Sequence, residues 1–127
     1  MTSAFVWFHN SSDKPAESSA FYEKLLGWTV SPGPGDMTML AGESGPFAGV
    51  AASTGNASGW IPYAQVADVD AATLKAQRLG ATLVAAKTRG PAGEFSIVRD
   101  PGGAAIALWQ KALIVSLDLT RSPGVVA

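Results

Sequence analysis

The single histidine of this chain, His9, is the side chain best suited to move a proton near neutral pH. It lies two residues beyond Trp7, so in an extended strand both side chains leave the same face. The same alternation groups Ile61, Tyr63 and Gln65 on one face of a second stretch, and Ala105, Ala107 and Trp109 on one face of a third. His9 as general acid or base, with Tyr63 as a hydrogen-bond donor, is the acid–base chemistry these residue types offer. No carboxylate stands at a spacing that would orient the imidazole. Two plainer readings stand beside this one: His9 merely bonds a neighbour near a strand end, and Gln65 faces solvent at another.

The same inventory excludes several chemistries. One imidazole falls short of the three or four ligands of a catalytic metal centre, and the carboxylates lie mainly at helix starts, turns and loops. The chain has no cysteine, which removes disulfides, thiolate metal sites and a thiol nucleophile, and fits a reducing cytoplasm. Nine Lys and Arg residues are scattered and the net charge is -1, so no basic stripe exists for nucleic acid. Arg89 and Arg99 border a hairpin and read as solvated charges, with contact to an anionic group as the alternative. The glycines at 31–36 and 102–103 precede no helix and are turn residues rather than a phosphate loop. No apolar run approaches the roughly 20 residues that span a bilayer, and Met1 to Phe8 lacks the pattern of a signal peptide. The expectation is a cytoplasmic protein with neither membrane nor nucleic-acid partners.

Hydrophobic residues make up 47% of the 127 positions and charged ones 15%, enough for a packed single domain. Two helices are expected. One opens at Asp13-Lys14-Pro15, carries the i,i+4 pairs Phe21/Leu25 and Tyr22/Leu26, and stops at Gly27. The other opens at Asp68-Val69-Asp70, carries Val69, Ala72, Ala76 and Leu79, and stops at Gly80. Strands are expected at Phe5–Asn10, Trp28–Val30, Met37–Leu40, Phe47–Ala52, Ile61–Val66, Ala81–Ala86, Glu94–Arg99 and Ala104–Gln110. The last two flank Asp100-Pro101-Gly102-Gly103, a hairpin signal. Ser31–Asp36 and Ser53–Gly59 read as loops, and the apolar run Ala112–Leu119 as one extra element. The halves repeat as strand, helix ending in Leu-Gly, then three strands. This gives one α+β domain over 1–127 made of two tandem βαβββ modules, about 4–53 and 59–111, with an extension at 112–127. A curved mixed sheet with helices outside and a central cleft follows.

Three segments carry a family resemblance. Asp13 to Tyr22 followed by Leu26-Gly27-Trp28, Val66 to Ala71 leading into Leu79-Gly80-Ala81, and Arg99 to Leu108 resemble the vicinal-oxygen-chelate superfamily of glyoxalases, bleomycin-resistance proteins and dioxygenases. The resemblance implies a divalent metal held by four strand side chains, commonly His, Gln or Glu. Carried onto this chain, those positions are Trp7, Gly49, Ile61 and Ala107, none of which ligates a metal. No metal and no other cofactor is therefore expected, and the metal-dependent chemistries of the family are in doubt.

Alternation sends Val6, Phe8, Pro62, Ala64, Val66, Ile106 and Leu108 to the helix side. The cleft then holds Trp7, His9, Ile61, Tyr63, Gln65 and Trp109 above the small floor residues Gly49 and Ala107, a lining for a flat, largely apolar ligand. Trp7, Tyr63 and Trp109 are the expected anchors, with core or dimer-interface packing as the alternative for the tryptophans. The leading expectation is a metal-independent binder of a small flat or aromatic molecule, by sequestration, as in the bleomycin-resistance branch. A metal-independent enzyme on a secondary metabolite, using His9 with Tyr63 or Gln65, is the second reading. A protein-interaction or regulatory module is the third. The resemblance also implies a homodimer.

Overall fold

A computed structural model describes residues 4–53 and 57–112. Its elements in chain order are β1 (Phe5–Ser12), α1 (Pro15–Leu26), β2 (Thr29–Pro32), β3 (Thr38–Gly42), β4 (Gly45–Ala52), β5 (Gly59–Gln65), α2 (Val69–Arg78), β6 (Thr82–Gly90), β7 (Gly93–Arg99) and β8 (Ala105–Lys111). Residues 113–127, most of the expected C-terminal extension, lie outside the described residues.

The helix limits follow from their end chemistry. Pro15 opens α1 where its missing N–H costs nothing, and the backbone N–H of Lys14 donates to Ser12 Oγ just ahead of it. Gly27 closes α1 in the left-handed conformation at φ 72°, donating to the Glu23 carbonyl at 3.0 Å. Asp68 caps α2 by accepting from the Ala71 N–H at 3.0 Å. Gln110 Oε1 accepts the Val69 N–H at 2.9 Å, which ties β8 to the same helix end.

All eight strands form one mixed sheet in the order β2-β3-β4-β1-β5-β8-β7-β6. Each half contributes a three-stranded antiparallel meander, β2-β3-β4 or β6-β7-β8, whose last strand lies parallel to the strand that opens the half: β4 beside β1, and β8 beside β5. The halves join where β1 runs antiparallel to β5, with Trp7 opposite Tyr63 and His9 opposite Ile61. Exchanging the halves about this seam exchanges His9 with Tyr63, Trp7 with Ile61, and Gly49 with Ala107. Register shifts in β1/β5, β3/β4 and β6/β7 bend the strands and curve the sheet.

The helices cover one face. Under α1, Leu40, Ala48 and Val50 are fully buried, with Phe8, Trp28, Val30 and Phe47 packed around them. Val69, Ile61, Val98 and Ala107 supply buried apolar positions in the other half. Buried Ser96 meets Thr73 of α2 through a 2.7 Å hydroxyl contact, so its polar atom is satisfied.

Three expectations shift. β2 runs on through Pro32, inside the stretch expected to be a loop, because Ser31 and Pro32 pair with Met39 and Thr38. β6 continues to Gly90 rather than ending at Ala86, because Thr88, Arg89 and Gly90 pair with Phe95, Glu94 and Gly93. Lys87 to Gly90 has no alternating apolar pattern, so tertiary pairing recruits what local sequence does not announce. Val6, expected on the helix side, lines the cleft, since the register shift between Phe5 and Trp7 interrupts alternation there.

Candidate functional site

The concave face of the sheet encloses a cavity of about 850 Å³ between the two halves. That is the size of a pocket for a drug-sized molecule. β1 and β5 form its floor, β3 one wall, and β6, β7 and β8 the other.

Strand register sets which side chains meet. One row across the floor reads Met39, Gly49, His9, Ile61 through β3, β4, β1 and β5. The adjoining row reads Ile97, Ala107, Tyr63, Trp7 through β7, β8, β5 and β1. The rows are images of one another across the seam, so His9 and Tyr63 hold equivalent places. Their rings lie 6.4 Å apart.

Trp7, His9, Ile61, Tyr63 and Trp109, all expected at the cleft, line the cavity together. Gly49 and Ala107 share the floor rows but are buried, Ala107 completely. A Cβ on Gly49 would collide with Met37 Sδ and come within 3.3 Å of Trp7 Cζ2, so the missing side chain is what lets Met37 seat there. Gln65 is exposed and lies outside the lining, at the last residue of β5, although its strand partner Trp109 is inside. Sequence reasoning also passed over Met37, Met39, Phe95 and Ile97, which complete the walls. Alternation in β7 carried a usable signal for Phe95 and Ile97, which register sets opposite Trp109 and Ala107.

The cavity is uncharged. No Asp, Glu, Lys or Arg occurs among its described lining residues. Arg89, next to the wall, is exposed and paired with Glu94 at 3.7 Å. Burial lowers the His9 pKa from its ordinary value, favouring the neutral imidazole. Burial also pushes Tyr63 up to about 12, keeping the phenol protonated. Neither side chain hydrogen-bonds a protein group among the described residues, and no carboxylate orients the imidazole. Phe95 lies 5.6 Å from Tyr63 between ring centres, giving the cavity an aromatic wall.

The family resemblance carries its metal-ligand positions onto Trp7, Gly49, Ile61 and Ala107. These side chains supply no nitrogen, oxygen or sulfur donor of the kind a divalent cation takes. Among the described residues, no group of three or more His, Cys, Asp or Glu side chains is arranged to hold a metal. The donor set does not fit the family's metal centre.

Three comparisons bear on these features. A family model described as a glyoxalase-like domain matches residues 7–109. The anthracycline biosynthesis protein DauV of Streptomyces sp. (strain C5) is 28% identical over 94% of this chain and 51% of its own length. CFP32 of Mycobacterium bovis, a protein with a glyoxylase name, is 31% identical over 93% of this chain and 49% of its own length. The chain thus spans about half the length of these curated relatives. A crystal structure of a glyoxalase/bleomycin resistance protein/dioxygenase superfamily member from Vibrio splendidus 12B01 superposes with TM-score 0.61 and 14% identity, covering 87% of this chain and all of the other.

Proposed function

The chain belongs to the glyoxalase-like family of the vicinal-oxygen-chelate superfamily, and within it we propose a metal-independent binder of a small, flat, largely apolar organic molecule. The observation that carries the reading is the uncharged 850 Å³ cavity lined by Trp7, Tyr63, Phe95 and Trp109 at the seam of the two halves. Trp7, Tyr63 and Trp109 are the proposed anchors, and Met37 and Met39 adapt the walls to an irregular outline. A cleft of this volume supports ligand binding over a module whose cleft is packed shut. The relative named for anthracycline biosynthesis supports a secondary metabolite as the ligand class.

Acid–base catalysis without metal is the second reading, favoured by the neutral, half-buried His9 facing Tyr63 across the floor. Replacing His9 by Ala separates the two. A binder loses modest affinity, whereas an enzyme loses turnover with affinity nearly intact.

A homodimer is proposed as well, because α1 exposes Phe21 and Leu25 at 56% and 61%, an i,i+4 apolar pair facing outward. Native mass spectrometry with metal analysis on protein purified without chelator tests these readings together. A metal-free dimer carrying a small co-purified organic compound is the expected result. Stoichiometric zinc, nickel, manganese or iron would overturn metal independence.

A further inference from the structure

In the two floor rows, His9 is flanked by Gly49 and Ile61, and Tyr63 by Ala107 and Trp7. Those four neighbours are the positions onto which the family resemblance carries its metal donors. The only imidazole of the chain and a phenol therefore sit at seam-related places, each between two side chains with nothing to ligate a cation. Two pairs of partly buried hydroxyls elsewhere in the fold satisfy one another, Ser12 with Ser18 and Thr73 with Ser96. His9 and Tyr63 have no such protein partner among the described residues.

Both side chains line the cavity, so a ligand that displaces water from them keeps its affinity only if it supplies hydrogen bonds in return. We infer that His9 and Tyr63 together take the place of the cation, and that the ligand is an uncharged planar molecule whose edge carries neighbouring carbonyl and hydroxyl oxygens. The Tyr63 hydroxyl donates to the carbonyl oxygen, and the imidazole accepts from the hydroxyl. Burial keeps the two groups in the protonation states this needs, a neutral imidazole and an intact phenol. With no charged residue among the described lining, an anionic analogue is left desolvated and unpaired, so the same site selects against anions. The inference rests on the binding reading above and specifies its ligand class.

The test uses three probes: 1,8-dihydroxyanthraquinone, anthracene as the ring-matched hydrocarbon, and anthraquinone-2-sulfonate as the anion. Binding to the full chain at pH 7.5 is followed by quenching of tryptophan fluorescence. The dihydroxy compound should bind about tenfold or more tighter than either of the others. Tyr63→Phe and His9→Leu should each lose about fivefold to tenfold of that preference, the usual effect of one hydrogen bond. Far-ultraviolet circular dichroism and the urea midpoint report whether each variant is folded. Equal affinity for the hydrocarbon and the dihydroxy compound, or a preference untouched by both substitutions, overturns the pairing of His9 and Tyr63 but leaves the binding reading standing. Sulfonate binding as tight as the dihydroxy compound overturns the selection for uncharged ligands. Failure of all three probes to bind overturns the binding reading and this inference with it.

Discussion

Adding one methyl group at Gly49 probes the floor of the cavity directly. The new Cβ meets Met37 Sδ and Cγ and lies 3.3 Å from Trp7 Cζ2, so Met37 must leave its seat. Forcing a methyl into a packed site costs about 1–3 kcal/mol. Replacing Gly by Ala at a permitted conformation returns about 0.4–1 kcal/mol through the unfolded chain. Gly49→Ala should therefore destabilise the domain by about 1–2 kcal/mol, which at a urea slope near 2 kcal/mol per molar lowers the midpoint by roughly 0.5–1 M. In a Met37→Ala background the obstruction is gone, and the same substitution should become neutral or slightly stabilising. The two measurements give a coupling of about 1–2 kcal/mol in a double-mutant cycle. Equal effects of Gly49→Ala in both backgrounds would refute the seating of Met37 over this glycine, and with it the account of why position 49 carries no side chain.

Other consequences are as direct. Tyr63 keeps its proton to about pH 12 in the fold but only to about 10 when unfolded, so the folded state binds more protons between those values. Stability should fall as pH rises from about 10 to 12, by about 2–3 kcal/mol from this group, and the extra slope should vanish in Tyr63→Phe when urea midpoints are compared. His9 works at the other end: its lowered pKa makes the unfolded chain the better proton binder as pH drops below about 6.5, so stability declines there and His9→Leu should flatten the decline. Leu40→Ala empties a fully buried position beneath α1 and should cost about 2–5 kcal/mol in urea unfolding. Asp68→Ala removes the side-chain cap of α2 and should cost about 1 kcal/mol by the same measurement.

Local chemistry carried much of this molecule into its sequence. Pro15 and Gly27 bound α1, Asp68 bounds α2, and Asp100-Pro101-Gly102-Gly103 closes the last hairpin, because caps and turns act within a few residues of chain. Period-two alternation likewise places Trp7, His9, Ile61, Tyr63 and Trp109 on one face without reference to strand pairing. Where alternation broke, or where partners recruited a segment, the sequence was silent. The register shift before Trp7 turned Val6 into the cavity, and β7 drew Thr88 to Gly90 into β6. The ending of β5 left Gln65 exposed. Which residue fills the space over Gly49 was also beyond local pattern, since Met37 reaches it from the residue just before β3. Sequence alone determined the elements, their order and the apolar residue types of the cleft, because these depend on residue type and short-range periodicity. Only the tertiary structure decided that His9 and Tyr63 stand at equivalent places across one seam, because that depends on the register between strands more than fifty residues apart.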